Sequence, residues 1–525
     1  MGSVELPVAD DADRARLQQL GYRQELKRGL SVVSNFAFSF SLISVLTGVT
    51  TTYNTGLRYG GPASMTLGWL IVALFNGCVA LSMAEICSAY PTSGGLYYWS
   101  AKLSGEDWAS LASWWTGTAS VDFSLAQLIQ VMVLLGTGRA NGGGYMASKY
   151  VLLAIYAAIL VVHGVINSLP IQRLSWLGKL GVFWNTAGVF VLVILIPAVA
   201  KERPGMEFIF THFNTDNGVG IRDRAYIFAM GLLMSQYSLL GYDTSAHMTE
   251  ETKNADWNGP MGIVASVALA SVFGWVYLVA LTSAVTDDIP YLLDAGNDAG
   301  GYAVAQALYD AFRRRFGSGA GGIVCLGIVA VAVFICGSTN VTSDSRMAYA
   351  FSRDGAMPFS RVWHRVNRHE VPFNAVWFSV AVAFVIALPL PDGGGFTRTL
   401  ANLSSCLQSL GSQVAFQAMV SVATTGLYIA YALPILFRVT TARESFVPGP
   451  FHLGRRCSLI VGWVAVAWVA LLTVLFSLPV AYPVAEANFN YTPVAVGGVL
   501  LLSVGAWVLH ARFWFHGPVT NVAAG

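Results

Sequence analysis

Charged residues are scarce in this sequence. Asp, Glu, Lys and Arg make up 11% of the 525 residues, against 55% for hydrophobic residues, whereas a soluble globular protein carries roughly a quarter charged residues. The net charge of +2 leaves no concentrated basic face of the kind that a nucleic-acid partner requires. A soluble multidomain protein is excluded as well, because apolar runs of about twenty residues, enough to cross a ~30 Å hydrocarbon core as a helix, recur along the chain.

Groups that would indicate metal binding or catalysis are also few. His163, His247 and His510 are scattered among different apolar runs, without the paired catalytic groups that a membrane-embedded enzyme needs. The cysteines have neither disulfide nor metal-site spacing and are interpreted as packing residues. They are Cys78, Cys87, Cys325, Cys336, Cys406 and Cys457. We therefore expect no metal, no cofactor and no enzymatic activity. No signal peptide is expected either, because acidic and polar residues precede the first apolar run.

What the sequence does contain is about twelve apolar spans, which predict an all-α integral membrane protein. They are centred near residues 44, 77, 124, 158, 190, 239, 273, 336, 381, 426, 468 and 503. Spans 3, 6 and 8 are interrupted by polar residues, which are costly inside a bilayer and usually line a cavity. Between spans 7 and 8, the stretch Tyr302–Phe316 has helical spacing and predicts a surface helix over an outer vestibule.

The distribution of basic residues favours one orientation. With an even number of spans both termini share a side, and that side collects about 18 Lys and Arg residues against about 11 on the other, which predicts that it is cytoplasmic. Its basic residues include Arg23, Lys27, Arg28, Lys102, Arg353, Arg361, Arg365, Arg368, Arg438, Arg443, Arg455 and Arg456. Within the N-terminal tail, residues 1–29, the stretch from Asp13 to Arg28 predicts a short amphipathic helix lying against the membrane.

Glycine interrupts two spans that lie five apart. Span 1 contains Thr47-Gly48, and span 6 contains Leu240-Gly241. Interrupted spans at corresponding places in two halves are typical of inverted-repeat transporters. A helix broken inside the membrane leaves amides and carbonyls unpaired, which is tolerated only where they face a cavity or a ligand. The alternative, that both glycines merely allow close helix packing, stays open.

Several motifs occur in the order found in one superfamily. They are Thr47-Gly48-Val49, Tyr59-Gly60-Gly61-Pro62, Ala84-Glu85, Tyr90-Pro91-Thr92-Ser93-Gly94-Gly95, Gly241-Tyr242-Asp243, Glu250-Glu251-Thr252, Ser345-Arg346 and Ser352-Arg353-Asp354-Gly355. Together they resemble the amino acid–polyamine–organocation superfamily. The likeness is closer to its plant GABA permeases and bidirectional amino-acid transporters and its fungal choline and GABA permeases, through Leu20-Gly21-Tyr22, Met234-Ser235-Gln236-Tyr237-Ser238 and Gly449-Pro450-Phe451-His452.

The resemblance implies a five-plus-five inverted-repeat fold like that of the bacterial leucine transporter. The repeats would occupy residues 30–200 and 224–438 of a transporter domain, 30–516. Two appended spans would occupy residues 458–516, and a cytoplasmic tail 517–525. The solute would then lie between the breaks of spans 1 and 6.

An amino acid or GABA is a zwitterion, and a broken helix suits both of its ends. Free amides at the start of the second half of span 1, near Gly48 and Val49, carry partial positive charge and can hold a carboxylate. Carbonyls at the ends of the incoming halves can accept from an ammonium. The predicted solute-binding residues are Ser44, Thr47, Gly48, Val49, Tyr237, Leu240, Gly241 and Asn340. Asp243 and Asp122 are candidates for gating or coupling, with a backbone-capping role for Asp243 and a helix-bridging role for Asp122 left open. Simple packing of Tyr237 and helix bridging by Asn340 stay open as well.

Other solutes and roles remain possible from the sequence. Choline or a polyamine would need an acid and an aromatic cage, for which Asp122, Asp243, Tyr237 and Trp114 are candidates. A transport-inactive nutrient sensor would preserve much of the same pattern. The lysine that some proton-coupled members place in span 5 is replaced here by Asn185 (or Trp184), so exchange and facilitated transport both stay open. The plasma membrane is the expected location, with the vacuole and mitochondrial inner membrane as alternatives.

Overall fold

A computed structural model describes residues 9–105, 109, 111, 149–200, 205–285, 288–294, 296–387, 413–485, 488–515 and 517–518. Nearly all regular structure in these ranges is helical. These described ranges contain no extended strand, only two isolated β-bridges, which pair Leu30 with Thr252 and Gly60 with Asn214. The all-α prediction is therefore confirmed. A bilayer enforces this fold, because a helix satisfies its own backbone groups within the segment.

The helices follow the predicted order of spans. In chain order they are α1 (Ala9–Gln19), α2 (Val32–Ile43), α3 (Val45–Arg58), α4 (Gly61–Ala89), α5 (Leu96–Ser104), α6 (Lys149–Asn167), α7 (Ile171–Val199), α8 (Met206–Thr211), α9 (Arg224–Ser238), α10 (Thr244–His247), α11 (Ala255–Thr282), α12 (Ile289–Leu293), α13 (Ala303–Phe316), α14 (Ala320–Arg353), α15 (Ser360–Trp363), α16 (Phe373–Ala387), α17 (Gln413–Val439), α18 (Arg455–Leu475) and α19 (Thr492–Leu509). Short 3-10 helices occur at Thr249–Glu251 and Ala511–Phe513.

These helices account for eleven of the predicted spans. Eight segments are long and apolar enough to cross a membrane, two shorter apolar helices lie in α6 and α16, and the broken span 6 completes the set. Span 1 comprises α2 and α3, spans 2, 4 and 5 are α4, α6 and α7, and span 6 comprises α9 and α10. Spans 7 and 8 are α11 and α14, and spans 9 to 12 are α16 to α19. Predicted span 3, with Asp122 and Trp114, lies outside the described residues.

The spans differ in how much of their surface the protein covers. In span 1, 83% of the apolar window is buried, and in span 10, 72%. Span 5 has 33% and span 12 only 17%, so these expose side chains such as Phe183 and Leu501 where lipid would cover them. Span 1 carries many polar side chains, and its central position keeps them away from lipid, where they would be costly.

The N-terminal segment matches its prediction only in part. Asp13 to Gln19 are helical, within α1, but residues 20–30 are not. They pack under the ends of several spans, with Tyr22 and Leu26 both 1% exposed. The carboxylate of Asp13 accepts from the amides of Asn254 (2.8 Å) and Ala255 (3.2 Å), so it satisfies donors that the start of α11 would otherwise leave unpaired. The side of the protein that carries this segment is called the inner side below.

On the opposite, outer side, α13 confirms the predicted surface helix. Its apolar face is buried, and the turn before it is fixed to span 1 by Asn54, whose side chain donates to the Gly301 carbonyl (2.6 Å) and accepts from the Ala303 amide (3.0 Å). The Tyr302 hydroxyl also donates to the Thr50 carbonyl (3.1 Å). This helix therefore lies over the outer end of span 1.

Candidate solute site at two broken helices

Span 1 breaks one turn earlier than predicted. The turn is at Ser44, which has the left-handed backbone angles φ 33° and ψ 79°. The amides of Thr47 and Gly48 both donate to the Ser44 carbonyl, at 2.8 and 3.0 Å. Gly48 and Val49 therefore lie inside α3, and the prediction that they offer free amides is wrong.

Side-chain hydrogen bonds stabilise this turn at Ser44. The Ser44 hydroxyl donates to Oδ1 of Asn185 on span 5 (2.9 Å), which leaves the Thr47 hydroxyl to donate to Ser44 Oγ (2.7 Å). Nδ2 of Asn185 in turn donates to the Gly181 carbonyl (2.9 Å). A left-handed serine is disfavoured by roughly 1–2 kcal/mol, and these buried bonds offset that cost. Asn185, one of the two residues that replace the span 5 lysine of some proton-coupled members, thus lies beside the break as a neutral partner of Ser44.

Gly48 serves close helix packing instead. A Cβ atom on Gly48 would lie 2.7 Å from Cα of Ser238 on span 6, which is closer than any side chain tolerates. The packing interpretation left open above is therefore correct for Gly48. Its absent side chain lets the two broken spans touch near their breaks.

The backbone groups left unpaired at the span 1 break belong to other residues. Among the residues that the structure describes, no acceptor is found for the amides of Val45 and Leu46, and no donor for the carbonyls of Ser41 and Ile43. The carbonyl of Leu42 accepts from the Cys336 thiol of span 8 at 3.1 Å. The first turn of α3 thus points two free amides, with the positive end of its helix dipole, at the break.

The break of span 6 lies where it was predicted. Helix α9 ends at Ser238 and α10 begins at Thr244. Between them Gly241 has φ 97°, and a Cβ atom there would lie 2.7 Å from Cδ2 of Leu42 at the end of α2. Only glycine satisfies both the conformation and the space. In the described part of the chain, no donor reaches the carbonyls of Gln236 and Ser238.

Two predicted residues of span 6 flank this break. Tyr237 is 4% exposed, its hydroxyl has no hydrogen-bond partner among the described residues, and it lies within electrostatic range of the Cys336 thiol. Leu240 is buried, and its amide donates to the Tyr237 carbonyl (3.2 Å). Leu240 therefore contributes an apolar side chain, whereas the Tyr237 hydroxyl lies near Cys336, whose thiol donates to the Leu42 carbonyl at the span 1 break.

Asn340 lies on the face of span 8 that meets the two breaks. Cys336, one turn before it, donates to the Leu42 carbonyl of span 1, and Ser343, one turn after it, accepts from the Thr244 hydroxyl of span 6 (3.4 Å). Residues spaced by three and four share one helix face. The buried Asn340 side chain therefore lies on the same face between spans 1 and 6, as the sequence register predicted.

Asp243 is held by side chains rather than by the backbone. Its Oδ1 accepts from the Tyr431 hydroxyl of span 10 at 2.6 Å, and its Oδ2 lies 3.4 Å from Nε2 of His247. The carboxylate caps no amide of α10, so the backbone-capping alternative is wrong. Sequence reasoning set His247 aside as an isolated histidine, although its spacing of four from Asp243 places both on one helix face.

Ion pairs close the inner side below the breaks. Arg346 pairs with Glu251 at 2.9 Å, and Arg353 forms two bonds to Glu250 at 2.8 and 3.0 Å. These side chains are at most 3% exposed. The guanidinium of Arg353 also lies 4.0 Å from the ring centroid of Tyr22 in the N-terminal segment. The sequence motifs contained all of these groups but did not reveal how they pair.

Known proteins provide an independent comparison. A family model described as amino acid permease matches residues 30–501. The chain is 63% identical to the amino-acid permease BAT1 homolog of Oryza sativa subsp. japonica, over 98% of this chain and 96% of that one. It is 59% identical to the amino-acid permease BAT1 of Arabidopsis thaliana, over 98% of each. It is 29% identical to the GABA-specific permease of Saccharomyces cerevisiae, over 97% of this chain and 86% of that one.

These relatives are named permeases rather than enzymes, and they match this chain almost from end to end. The resemblance stated from the motifs is confirmed, and so are the multi-pass membrane architecture and amino-acid transport as the function class. The chain is an integral membrane protein that belongs to the amino acid permease family of the amino acid–polyamine–organocation superfamily.

Proposed function

We propose that this permease moves small zwitterionic amino acids, GABA among them, by alternating access, with the solute held between the breaks of spans 1 and 6. The observation that carries the proposal is the contact of two broken spans that leave amides and carbonyls unpaired at one place. Inside a membrane such groups need a ligand or a cavity. The GABA-specific and amino-acid permeases among the relatives support this solute class.

The carboxylate end of the solute would bind at the start of α3. The free amides of Val45 and Leu46 and the helix dipole supply the positive potential. No Lys or Arg occurs in residues 44–50 or 237–243, so these amides are the donors we assign. Ser44 and Thr47 hold the turn in place. This scheme keeps the predicted binding of a carboxylate by backbone amides, but the donor amides lie three residues earlier in the chain than predicted.

The ammonium end would bind to carbonyls of the incoming helices. Ser41 and Ile43 on span 1, with Gln236 and Ser238 on span 6, offer carbonyls without donors in the described part of the chain. The Tyr237 hydroxyl and Asn340 lie beside them and would select solutes by length. A short α-amino acid and the longer GABA differ mainly in the distance between their charged ends.

The two sides of the site would open in turn. The pairs Arg346–Glu251 and Arg353–Glu250, with the N-terminal segment, form the inner closure, and α13 packs over the outer end of span 1. We place the inner side and both termini in the cytoplasm on the basic-residue count, and the protein in the plasma membrane. The repeats would be residues 30–200 and 224–438.

A choline-like solute is less well supported. A quaternary ammonium lacks a carboxylate, so the free amides of α3 would stay unpaired, and it would need an acid and an aromatic cage. Asp243 already accepts from Tyr431 and contacts His247. Of the two acids that such a solute would recruit, Asp243 is therefore already engaged, and Asp122 lies outside the described residues.

Counterflow into proteoliposomes tests the proposal. Vesicles loaded with unlabelled GABA or alanine should accumulate the labelled form of the same solute, whereas choline-loaded vesicles should not accumulate labelled choline. Accumulation of choline alone would overturn the zwitterion scheme. Saturable GABA binding without any flux would identify a sensor instead of a transporter. Repeating the assay with and without a pH gradient separates proton-driven from facilitated transport.

A further inference from the structure

One imidazole lies between two hydrogen-bond acceptors on the inner half of span 6. Nδ1 of His247 is 3.0 Å from the carbonyl oxygen of Ser93, and Nε2 is 3.4 Å from Oδ2 of Asp243. Ser93 belongs to the loop that connects span 2 to α5 on the inner side. His247 is 1% exposed, so bulk water does not reach the ring in this closed arrangement. The histidine thus joins the inner half of span 6 to this loop.

Two acceptors around one imidazole require one additional proton. A neutral imidazole carries a single N–H, so one ring nitrogen donates while the other presents a lone pair. With either tautomer, a lone pair would face the Ser93 carbonyl or the Asp243 carboxylate. Both contacts become favourable when a proton is added, either on the ring or on the carboxyl of Asp243. The closed arrangement therefore binds one proton that the separated groups do not need.

The described groups next to the Asp243–His247 pair are either neutral or already paired with an opposite charge. In the 3-10 helix after span 6, Glu250 accepts from the Ser93 amide (3.0 Å), and its charge is matched by Arg353 of span 8. From span 10, the neutral hydroxyl of Tyr431 donates to Asp243. Among the described residues, His247 provides the basic nitrogen that lies within 4 Å of the Asp243 carboxylate.

The position of Gly95 shows that the loop is shaped around the imidazole. Gly95 has φ 50°, and a Cβ atom there would lie 2.8 Å from Cε1 of His247. Any other residue would displace the ring from its place between the two acceptors. The histidine is thus enclosed by the loop on one side and by Asp243 on the other.

We propose that His247 and Asp243 form a proton-dependent latch that holds the inner half of span 6 against the loop 92–95 and releases its proton to water when the inner side opens. The sign follows from proton counting, because the closed state binds more protons than the open one and is favoured at low pH. Opening is favoured as pH rises on the inner side. The effect on solute flux rests on the proposed function, whereas the conformational change does not.

Spin labels on the inner side test the latch without any transport assay. Lys102→Cys on α5 and Lys253→Cys after span 6 provide two exposed labelling sites. Cys78→Ser, Cys406→Ser and Cys457→Ser leave only the buried Cys87, Cys325 and Cys336. The distance between the labels is measured by double electron–electron resonance near pH 5.5 and near pH 8. We expect a single short distance at low pH and a longer population that grows at least about threefold at high pH.

Two variants separate the latch from a merely structural role. In Asp243→Asn, the new amide donates to a neutral imidazole and still accepts from Tyr431, so the closed arrangement no longer needs the additional proton. This variant should stay closed at both pH values. His247→Gln removes the titrating ring, and its distances should not depend on pH. The control His364→Gln, on the loop after span 8, should keep the full pH response.

Either of two results would overturn the proposal. One is a distance distribution in the parent protein that is the same at both pH values. The other is a pH response that persists in Asp243→Asn and His247→Gln. Counterflow with GABA on the same proteins then distinguishes the two proposals. Absence of flux with an intact pH response removes the transport proposal alone, whereas normal flux without a pH response removes the latch alone.

Discussion

The break of span 1 turns at a serine, whereas the break of span 6 turns at a glycine. Ser44 adopts a left-handed conformation at φ 33° and is held by hydrogen bonds to Thr47 and Asn185. Gly241 reaches φ 97° because it has no side chain, and its carbonyl accepts from the Thr244 hydroxyl at 2.9 Å. The corresponding breaks of spans 1 and 6 thus accommodate an unusual backbone conformation in different ways. One stabilises a strained residue by side-chain partners, and the other removes the side chain.

The comparison also corrects the meaning of a glycine within an apolar span. In span 6 the glycine lies at the break, because its backbone angle and its contact both demand it. In span 1 the glycine lies four residues beyond the break, inside a regular helix, where its contact with Ser238 decides its identity. The same residue type therefore indicates a break in one half and close packing in the other.

The largest effect is expected from Gly241→Ala. The methyl group meets Leu42 and forces an alanine into a left-handed conformation, which costs roughly 1–2 kcal/mol for the conformation and about 1–3 kcal/mol for the overlap. Thermal unfolding in detergent should show a clear loss of stability, and counterflow should fail. Leu42→Ala is the matched background, because it removes the overlap at its own cost in stability. In that background Gly241→Ala should cost less than in the parent protein but should still destabilise, since the strain stays. No cost in the Leu42→Ala background would show that conformation is unimportant at this break.

Gly48→Ala should cost about 1–3 kcal/mol of stability, because its methyl group would lie 2.7 Å from the backbone of Ser238 and neither helix can yield locally. The reduced contact between spans 1 and 6 should also weaken GABA binding. Gly77→Ala on span 2 is the matched control, since a Cβ atom there meets nothing within 4 Å. An unchanged melting temperature in Gly48→Ala would contradict the packing role and reopen the case for a break at Gly48.

The sequence predicted the parts of the fold that follow from apolar length and from local conformational preference. The order of spans, the surface helix at Ala303–Phe316 and the break at Gly241 all belong to this class. The break at Ser44 could not be located, because its left-handed turn depends on Asn185, 141 residues away in the chain. The Asp243–His247 contact was within reach of sequence reasoning, since it has helical spacing. The pairing of Arg346 with Glu251 was not, because these residues lie 95 positions apart in the chain.

The smallest effect, and the sharpest test of the comparison, concerns Ser44 itself. Ser44→Ala removes the hydroxyl but keeps the strained conformation, so Asn185 Oδ1 loses its donor and the turn loses about 1 kcal/mol for each of two buried hydrogen bonds. Ser44→Gly loses the same bonds but relieves roughly 1–2 kcal/mol of strain, so it should unfold at nearly the temperature of the parent protein. GABA affinity should follow the same order, because the free amides of Val45 and Leu46 keep their direction only while the turn is intact. If the two variants were equally destabilised, the left-handed strain at Ser44 would be negligible, and the hydrogen bonds alone would place the break.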